Sequence, residues 1–295
     1  MAISIDQLRT HSYESDAASE LRLLYQLYEE AQRTRIAHGE RLRAIFQGRS
    51  SSPGVTSTDK DVDGLLKGIA RGGRAGAPRI LENAYARSVE DEAAAASGLR
   101  ETIERHPAWP WLDDVRGIGH LLAARLLSRL DVARAGTPSA FWAYCGLGTI
   151  PGVAYQCSKC GLEVAYPVGY KVSESHYARS ASRACSGQLQ AIASVSEIRV
   201  APRKSALGGR ASYDAHARKS CYLIGVSILR SGGDYRSFYD LERARLSSSR
   251  AGWTAKRCHL SALRRMEKAF LRDLWIAWRR AVKLPVVASY FPRIE

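Results

Sequence analysis

Apolar side chains recur at helical spacing over most of this chain. Residues three and four apart share one face of a helix, so each such stripe predicts an amphipathic helix. Before residue 106 there are three of them, over residues 16–46, 62–71 and 78–105. Segments rich in Ser, Gly and Pro separate these stripes and predict loops. A last strong stripe, from Thr254 to Lys283, predicts a long C-terminal helix with Thr254 as its N-cap.

A different pattern follows residue 150. Valine, tyrosine and alternating polar residues on both sides of Cys157–Gly161 predict a β-hairpin. The fold class is therefore mainly α, with long helices around a central helix-hairpin-helix and a small zinc-ribbon-like β insertion. We divide the chain into an N-terminal helical region (1–80), a helix and helix-hairpin-helix DNA-binding core (81–150), the insertion (151–200), and a basic loop with C-terminal helices (201–295).

The central stretch from Leu112 to Leu147 contains two glycines just before an apolar helical pattern. Gly117 and Gly119 flank Ile118, and glycine permits positive φ and close approach of the backbone to a bulky group. The start of the next helix offers free N–H groups, and His120 can add a hydrogen bond. One interpretation is a helix-hairpin-helix that binds a nucleic-acid phosphate. The other is an ordinary helix-turn-helix in which the glycines cap and open helices.

Charge favours the first interpretation. Lysine and arginine outnumber acidic residues 44 to 29, and the net charge is +15. Phosphate binding without sequence preference is the commonest use of such an excess. The C-terminal stripe carries many of these cations and predicts a surface that follows a DNA or RNA backbone through Arg264, Arg265, Lys268 and Arg272.

Membrane and export functions are not indicated. No segment approaches the roughly 18 to 20 apolar residues of a membrane-spanning helix. The first 16 residues are polar and acidic, unlike a signal peptide. We therefore expect no membrane partner and a cytoplasmic protein, in which cysteines are thiols or metal ligands rather than disulfides.

The cysteines divide into two groups. Cys157 and Cys160 form a CxxCG knuckle, and a structural zinc ion needs four ligands. His176 and Cys185 are the downstream candidates, which predicts a Cys157, Cys160, His176 and Cys185 site for structural Zn²⁺. The alternative is a reduced or redox-active CxxC pair, although the βαβ surroundings typical of that chemistry are missing. The remaining cysteines, Cys145, Cys221 and Cys258, lie in apolar helical contexts and are predicted to be buried.

A family resemblance appears between His106 and Leu147. This run carries an HP dipeptide, a VxGIGxxxAxxLL pattern and SxxxFWAYCGL. It resembles the C-terminal transposase half of the bridge-RNA-guided, serine-dependent insertion-sequence recombinases. The likeness covers roughly residues 82–246, with a gap at the insertion, and it includes a single long helix over Lys219–Leu246. The resemblance implies DNA as partner, a guide RNA, a homo-oligomer and DNA strand exchange.

The resemblance also implies a nucleophile. The family's serine falls in the basic loop PRKSALGGR, where Ser205 is the matching position. Arg203, Lys204 and Arg210 would stabilise the charge that develops on a phosphodiester under attack. A plain DNA-contacting loop with an incidental serine is the alternative, and Ser212 and Ser220 are also close.

The chain departs from the family at its N-terminal side. The family begins with a resolvase-like domain that carries acidic metal ligands on strands, whereas the first 80 residues here predict helices and loops. Two non-catalytic functions therefore stay open. One is a nucleic-acid-binding protein derived from a transposase, and the other is a structural RNA-binding protein.

Overall fold

The structure, a computed structural model, describes residues 5–49, 59–169, 172, 176–177, 184–192, 198–202, 212–250 and 252–287. Within them the helices are α1 (Ile5–Arg49), α2 (Asp59–Ala70), α3 (Arg79–Glu104), α4 (Trp109–Asp113), α5 (His120–Leu127), α6 (Pro138–Tyr144), α7 (Ala215–Ser231), α8 (Asp234–Ser249) and α9 (Ala255–Ala281). The strands are β1 (Ile150–Cys157), β2 (Glu163–Pro167), β3 (His176–Tyr177), β4 (Ala184–Cys185), β5 (Leu189–Ala191) and β6 (Ile198–Val200). The mainly helical prediction with a small β insertion is confirmed.

The chain forms two compact units. One comprises the residues up to Pro110 together with Gly119–Arg129, and the other comprises Trp111–Ile118 and the residues from Leu130 onward. The region 81–150 therefore contributes to both units. Among the helices of the described residues, none is long and apolar enough to cross a membrane.

The first unit is built on α1 and α3, which pack along each other, with α2 and α5 against them. One cluster of its core consists of Leu42, Phe46, Val62, Leu66, Ile69, Ala77 and Tyr85. Glu82, 2% exposed, accepts the backbone N–H groups of Ala75 and Ala77 at 3.1 and 2.8 Å. Its other carboxylate oxygen lies 3.0 Å from Arg74 Nε. The buried carboxylate of Glu82 therefore stabilises the loop that precedes α3.

In the second unit α9 is the central helix, with α6, α7 and α8 packed on it. Its predicted apolar face is buried at Leu263, Met266, Phe270, Leu274 and Trp278. Thr254 caps α9 as predicted, since its side chain accepts the N–H of Arg257 at 3.2 Å.

The single helix predicted over Lys219–Leu246 is wrong. The chain instead forms α7 and α8, interrupted at Gly232 and Gly233, whose φ angles are 79° and 92°. A right-handed helix cannot continue through positive φ, and glycine adopts it without steric cost.

The β insertion is antiparallel and centred on β1. Its β2 partner covers most of the strand, while β6 pairs with the start of β1 and β5 with its end. A separate two-stranded ladder joins β3 to β4, and in it His176 lies opposite Cys185.

A buried carboxyl group lies between α7 and α9. Glu267 is 6% exposed, and a Cβ atom on Gly225 of α7 would lie 3.0 Å from its Oε1. Burial raises the pKa of Glu267 to about 7, although Arg264 and Arg218 act in the opposite direction. The carboxyl group is therefore protonated in the folded chain at a pH where an exposed glutamate is ionised.

This pKa predicts a pH-dependent stability. Between the ordinary pKa of 4.5 and about 7, the folded state binds more protons at Glu267 than the unfolded state does. The free energy of unfolding therefore falls as pH rises through this window, by about 3 kcal/mol. Urea unfolding of wild type and Glu267→Gln from pH 5 to 8 measures the effect. Protonation of the Cys157, Cys160 and Cys185 thiolates affects both proteins equally, so it cancels when their free energies of unfolding are subtracted. Glu163→Gln, at an exposed position, is the control. Parallel pH profiles for wild type and Glu267→Gln would contradict the assignment.

Candidate metal centre

The first half of the centre is the turn that joins β1 to β2. Cys157 ends β1, and Gly161, with φ +65°, closes the turn by donating its N–H to Cys157 O at 3.1 Å. The N–H groups of Cys160 and Lys159 point at Cys157 Sγ from 3.4 and 3.3 Å. These hydrogen bonds, chiefly the one from Cys160, lower the pKa of the Cys157 thiol to about 6. The turn therefore favours a thiolate, the form that binds metals.

The second half comes from β3 and β4. Antiparallel pairing places His176 and Cys185 side by side, and the N–H of Gly187 donates to Cys185 Sγ at 3.4 Å. Hydrogen bonds join the halves: Ser158 N–H donates to Gln188 O at 3.1 Å, and Lys159 Nζ donates to Ser186 Oγ at 2.7 Å.

Four ligand atoms converge between these halves. The Sγ atoms of Cys157, Cys160 and Cys185 and a ring nitrogen of His176 all lie within 4.8 Å of one another. Cys157 Sγ is 3.8 Å from Cys185 Sγ, and Cys160 Sγ is 3.4 Å from His176 Nε2. Around one tetrahedral ion with ordinary Zn–S and Zn–N bonds, these edges would be about 3.8 and about 3.6 Å. The four side chains can hold a metal ion, and the cluster contains the four predicted residues.

Two further observations fit a metal centre. A Cβ atom on Gly187 would lie 2.5 Å from Cys157 Sγ and 2.6 Å from Lys159 Cβ, so only glycine lets the second half close on the first. His176 is 9% exposed, and its Nδ1 has no hydrogen-bond partner among the described residues. With Nε2 facing the cysteines, the imidazole is oriented as a ligand. A redox CxxC pair does not require this convergence.

The glycines at 117 and 119 differ from each other. Gly117 has φ +91°, and its carbonyl accepts a hydrogen bond from Ser227 Oγ at 2.7 Å. A Cβ atom there would lie 2.7 Å from Ser231 Oγ, so the bulky group that this backbone approaches is helix α7. Gly119 has extended backbone as the N-cap of α5, and Ile118 is buried. Within the second unit, Gly117 thus has a packing role.

His120 is engaged within the first unit. Its ring stacks on Trp109 at a centroid distance of 4.4 Å, and Nε2 lies 3.1 Å from Glu104 Oε1. Trp109 is 8% exposed, as expected for a core residue.

The cations predicted along α9 bind groups of their own unit. Arg264 donates to the carbonyls of Gly146 and Gly148 at 3.2 and 2.5 Å, and Lys268 Nζ lies 4.4 Å from the centre of the Trp142 ring. Arg265 pairs with Glu242 at 2.7 Å. The prediction for Arg272 is corrected: it is 1% exposed and pairs with Asp273, so its guanidinium is enclosed. Helical spacing could not reveal the contacts of Arg264 and Lys268, because their partners lie more than 100 residues away in the chain.

Residues 203–210 of the predicted nucleophile loop lie outside the described residues. They include the predicted nucleophile Ser205 and the predicted cations Arg203, Lys204 and Arg210. Of the two neighbouring serines, Ser220 is 1% exposed and donates to His216 O at 2.8 Å, whereas Ser212 is exposed. Burial removes Ser220 from the candidate nucleophiles. Cys145, Cys221 and Cys258 are all buried, as predicted.

Comparison with family models, curated proteins and solved structures finds no match to this chain.

Proposed function

We propose that the protein is a zinc-stabilised DNA-binding protein that exchanges phosphodiester strands in the manner of serine-dependent insertion-sequence transposases. The carrying observation is the four-ligand cluster at Cys157, Cys160, His176 and Cys185. Three thiolates and one imidazole at tetrahedral separations suit Zn²⁺ better than the common divalent cations that prefer oxygen ligands. The ion would tie together strands that precede the basic loop at residues 202–210.

DNA as the partner is supported by charge and by the start of α5. An excess of 15 positive charges favours a polyphosphate. Gly119 caps α5 with no side-chain hydrogen bond, and the first turn has no acidic residue. Backbone amides there suit a phosphate oxygen, as in a helix-hairpin-helix. His120 would then have to exchange its contact with Glu104 for one with the phosphate.

The proposed chemistry is a transesterification at Ser205. The serine Oγ forms a bond to phosphorus as the bond from phosphorus to a sugar oxygen breaks. The serine proton passes to solvent, and the departing sugar oxygen takes up a proton. Attack by a sugar hydroxyl of a second strand reverses these steps and releases Ser205. Arg203, Lys204 and Arg210 offset the negative charge that builds on the phosphoryl oxygens.

An adduct assay tests this proposal. Wild type, Ser205→Ala and the control Ser212→Ala are incubated with labelled supercoiled and four-way-junction DNA. We expect covalent protein–DNA adducts with wild type and Ser212→Ala, and binding without adduct for Ser205→Ala. An adduct that persists in Ser205→Ala would assign the nucleophile elsewhere.

The same assay distinguishes the non-catalytic alternatives. DNA binding without any adduct in wild type would leave a nucleic-acid-binding protein derived from a transposase. Stronger binding of structured RNA than of duplex or junction DNA would favour a structural RNA-binding protein. Strand exchange handles two duplexes at once, so we also propose a homo-oligomer, with a guide RNA as a further partner. Sedimentation with and without DNA measures the oligomer, and nuclease treatment of the purified protein tests for bound RNA.

A further inference from the structure

The corner between α8 and α9 carries three exposed cations. Arg250 is the C-cap of α8, and Lys256 and Arg257 lie in the first turn of α9; all three are exposed. Among the described residues, no carboxylate forms an ion pair with any of them. They contrast with Arg264, Arg265 and Arg272 farther along α9, which all have partners within the unit. Three exposed cations thus lie within eight residues of the chain at this corner.

A tryptophan organises this corner. The guanidinium carbon of Arg257 lies 4.2 Å from the centre of the Trp253 ring, and that of Arg250 lies 5.7 Å from it. The backbone turn is closed by Trp253 N–H donating to Arg250 O at 2.8 Å. A guanidinium stacked on an aromatic face keeps its N–H groups directed outward in the plane, where they can bind phosphate oxygens in pairs.

The position of the cations is unfavourable for the helix itself. The N-terminal end of a helix is its positive end, where acidic residues stabilise and cations destabilise. The first turn of α9 has no acidic residue and two cations, Lys256 and Arg257. Helix stability does not explain this choice of residues, whereas an anionic ligand does.

We propose that Arg250 and Arg257, which lie over the Trp253 ring, form with the neighbouring Lys256 a binding site for the phosphodiester backbone of nucleic acid. This inference rests on the proposed function. It places a nucleic-acid contact at the α8–α9 corner instead of at Arg264, Arg265, Lys268 and Arg272, farther along α9. The ligand chemistry is the phosphodiester, common to DNA and RNA. The arms of the test separate these two sources.

The test measures binding against salt concentration. Labelled duplex DNA, four-way-junction DNA and structured RNA are titrated with wild type and with the triple variant Arg250→Gln, Lys256→Gln, Arg257→Gln. The control triple, Arg41→Gln, Lys67→Gln, Arg87→Gln, removes the same charge from exposed positions of the first unit. For duplex DNA we expect the corner triple to bind at least about tenfold more weakly at roughly 0.1 M salt, with a log–log salt slope smaller by about 2.7. The control triple should stay within about threefold of wild type.

Trp253 is tested separately as a positioning residue. Trp253→Ala should weaken binding by about two- to fivefold while the salt slope stays unchanged, because the three charges remain. Trp253→Phe should restore most of the affinity, since a phenyl ring also stacks with a guanidinium. Circular dichroism of each variant confirms that the helices are intact.

The outcomes are distinguishable. Wild-type binding that the corner triple retains in full would overturn this inference and leave the proposed function standing. Failure of wild type to bind any of the three nucleic acids at up to roughly 10 μM would remove the proposed function and this inference with it. Equal losses in the corner and control triples would show that only total charge matters, which also overturns the site.

Discussion

Arg279→Met will lower the free energy of unfolding by about 3–5 kcal/mol and the melting temperature by about 10 °C. Arg279 is 7% exposed, and its guanidinium donates to the carbonyls of Val132, Ala135 and Pro285 at 2.9, 3.0 and 2.6 Å. Methionine fills similar space but donates nothing, so the carbonyls of the buried residues Val132 and Ala135 lose the Arg279 donor. Trp275 Nε1 also donates to Ala135 O, at 2.7 Å, and cannot replace the lost bonds to the other carbonyls.

The neighbouring residue provides the control. Arg280 is exposed, and Arg280→Met removes the same charge from the same turn of α9. We expect its stability to stay within about 0.5 kcal/mol of wild type. Thermal and urea unfolding of both variants measures the difference. Equal stabilities of Arg279→Met and Arg280→Met would show that the carbonyl contacts of Arg279 contribute nothing.

Cys160→Ser will abolish tight metal binding at the β insertion. A serine hydroxyl does not replace a thiolate ligand, so the affinity should fall by more than the roughly 10- to 100-fold that outer-shell substitutions cost. Elemental analysis after dialysis against a weak chelator should find one equivalent of the metal, which we propose to be zinc, in wild type and none in the variant. The N–H groups of β1 and β5 should then exchange faster with solvent, because the metal would hold Cys157, at the end of β1, beside Cys185, just before β5.

Two controls make this result specific. Ser158→Ala changes the same turn without touching a ligand and should retain the metal. Gly187→Ala introduces a methyl group 2.5 Å from Cys157 Sγ and should lose it, whereas Gly136→Ala adds the same group where no atom lies within 4 Å. Full metal content in both Cys160→Ser and Gly187→Ala would refute the four-ligand site.

The residues that carry the family resemblance have structural roles in the second unit. Phe141, Trp142 and Cys145 of the FWAYCGL run are buried. Gly146 has φ +66°, and a Cβ atom there would lie 2.8 Å from the Tyr213 ring. Arg264 donates hydrogen bonds to the carbonyl oxygens of Gly146 and Gly148. These residues would pack in the same way in any chain with this local fold. Their resemblance to the transposase family therefore supports a similar local fold more directly than it supports the chemistry of Ser205.

Local patterns in the sequence were sufficient for most of the helices and for the CxxCG turn. A helix depends on residues three or four apart, and the CxxCG turn depends on five consecutive residues. Both are short-range, and both were predicted in the right place. The break at Gly232–Gly233 was missed although its signal, two adjacent glycines, is present in the sequence. The apolar positions before and after these glycines have the same helical periodicity, so the pattern indicated one continuous helix.

The sequence by itself determined the mainly helical class, the apolar face of α9 and the four residues that can bind a metal. Only the tertiary structure decided which cations face solvent. Arg279 and Arg264 meet carbonyls 147 and 118 residues away, while Arg250 and Arg257 stack on a tryptophan beside them. An arginine at helical spacing has the same sequence signature in both cases. What differs is whether folding brings a carbonyl or a carboxylate to its guanidinium, and that depends on contacts between segments far apart in the chain.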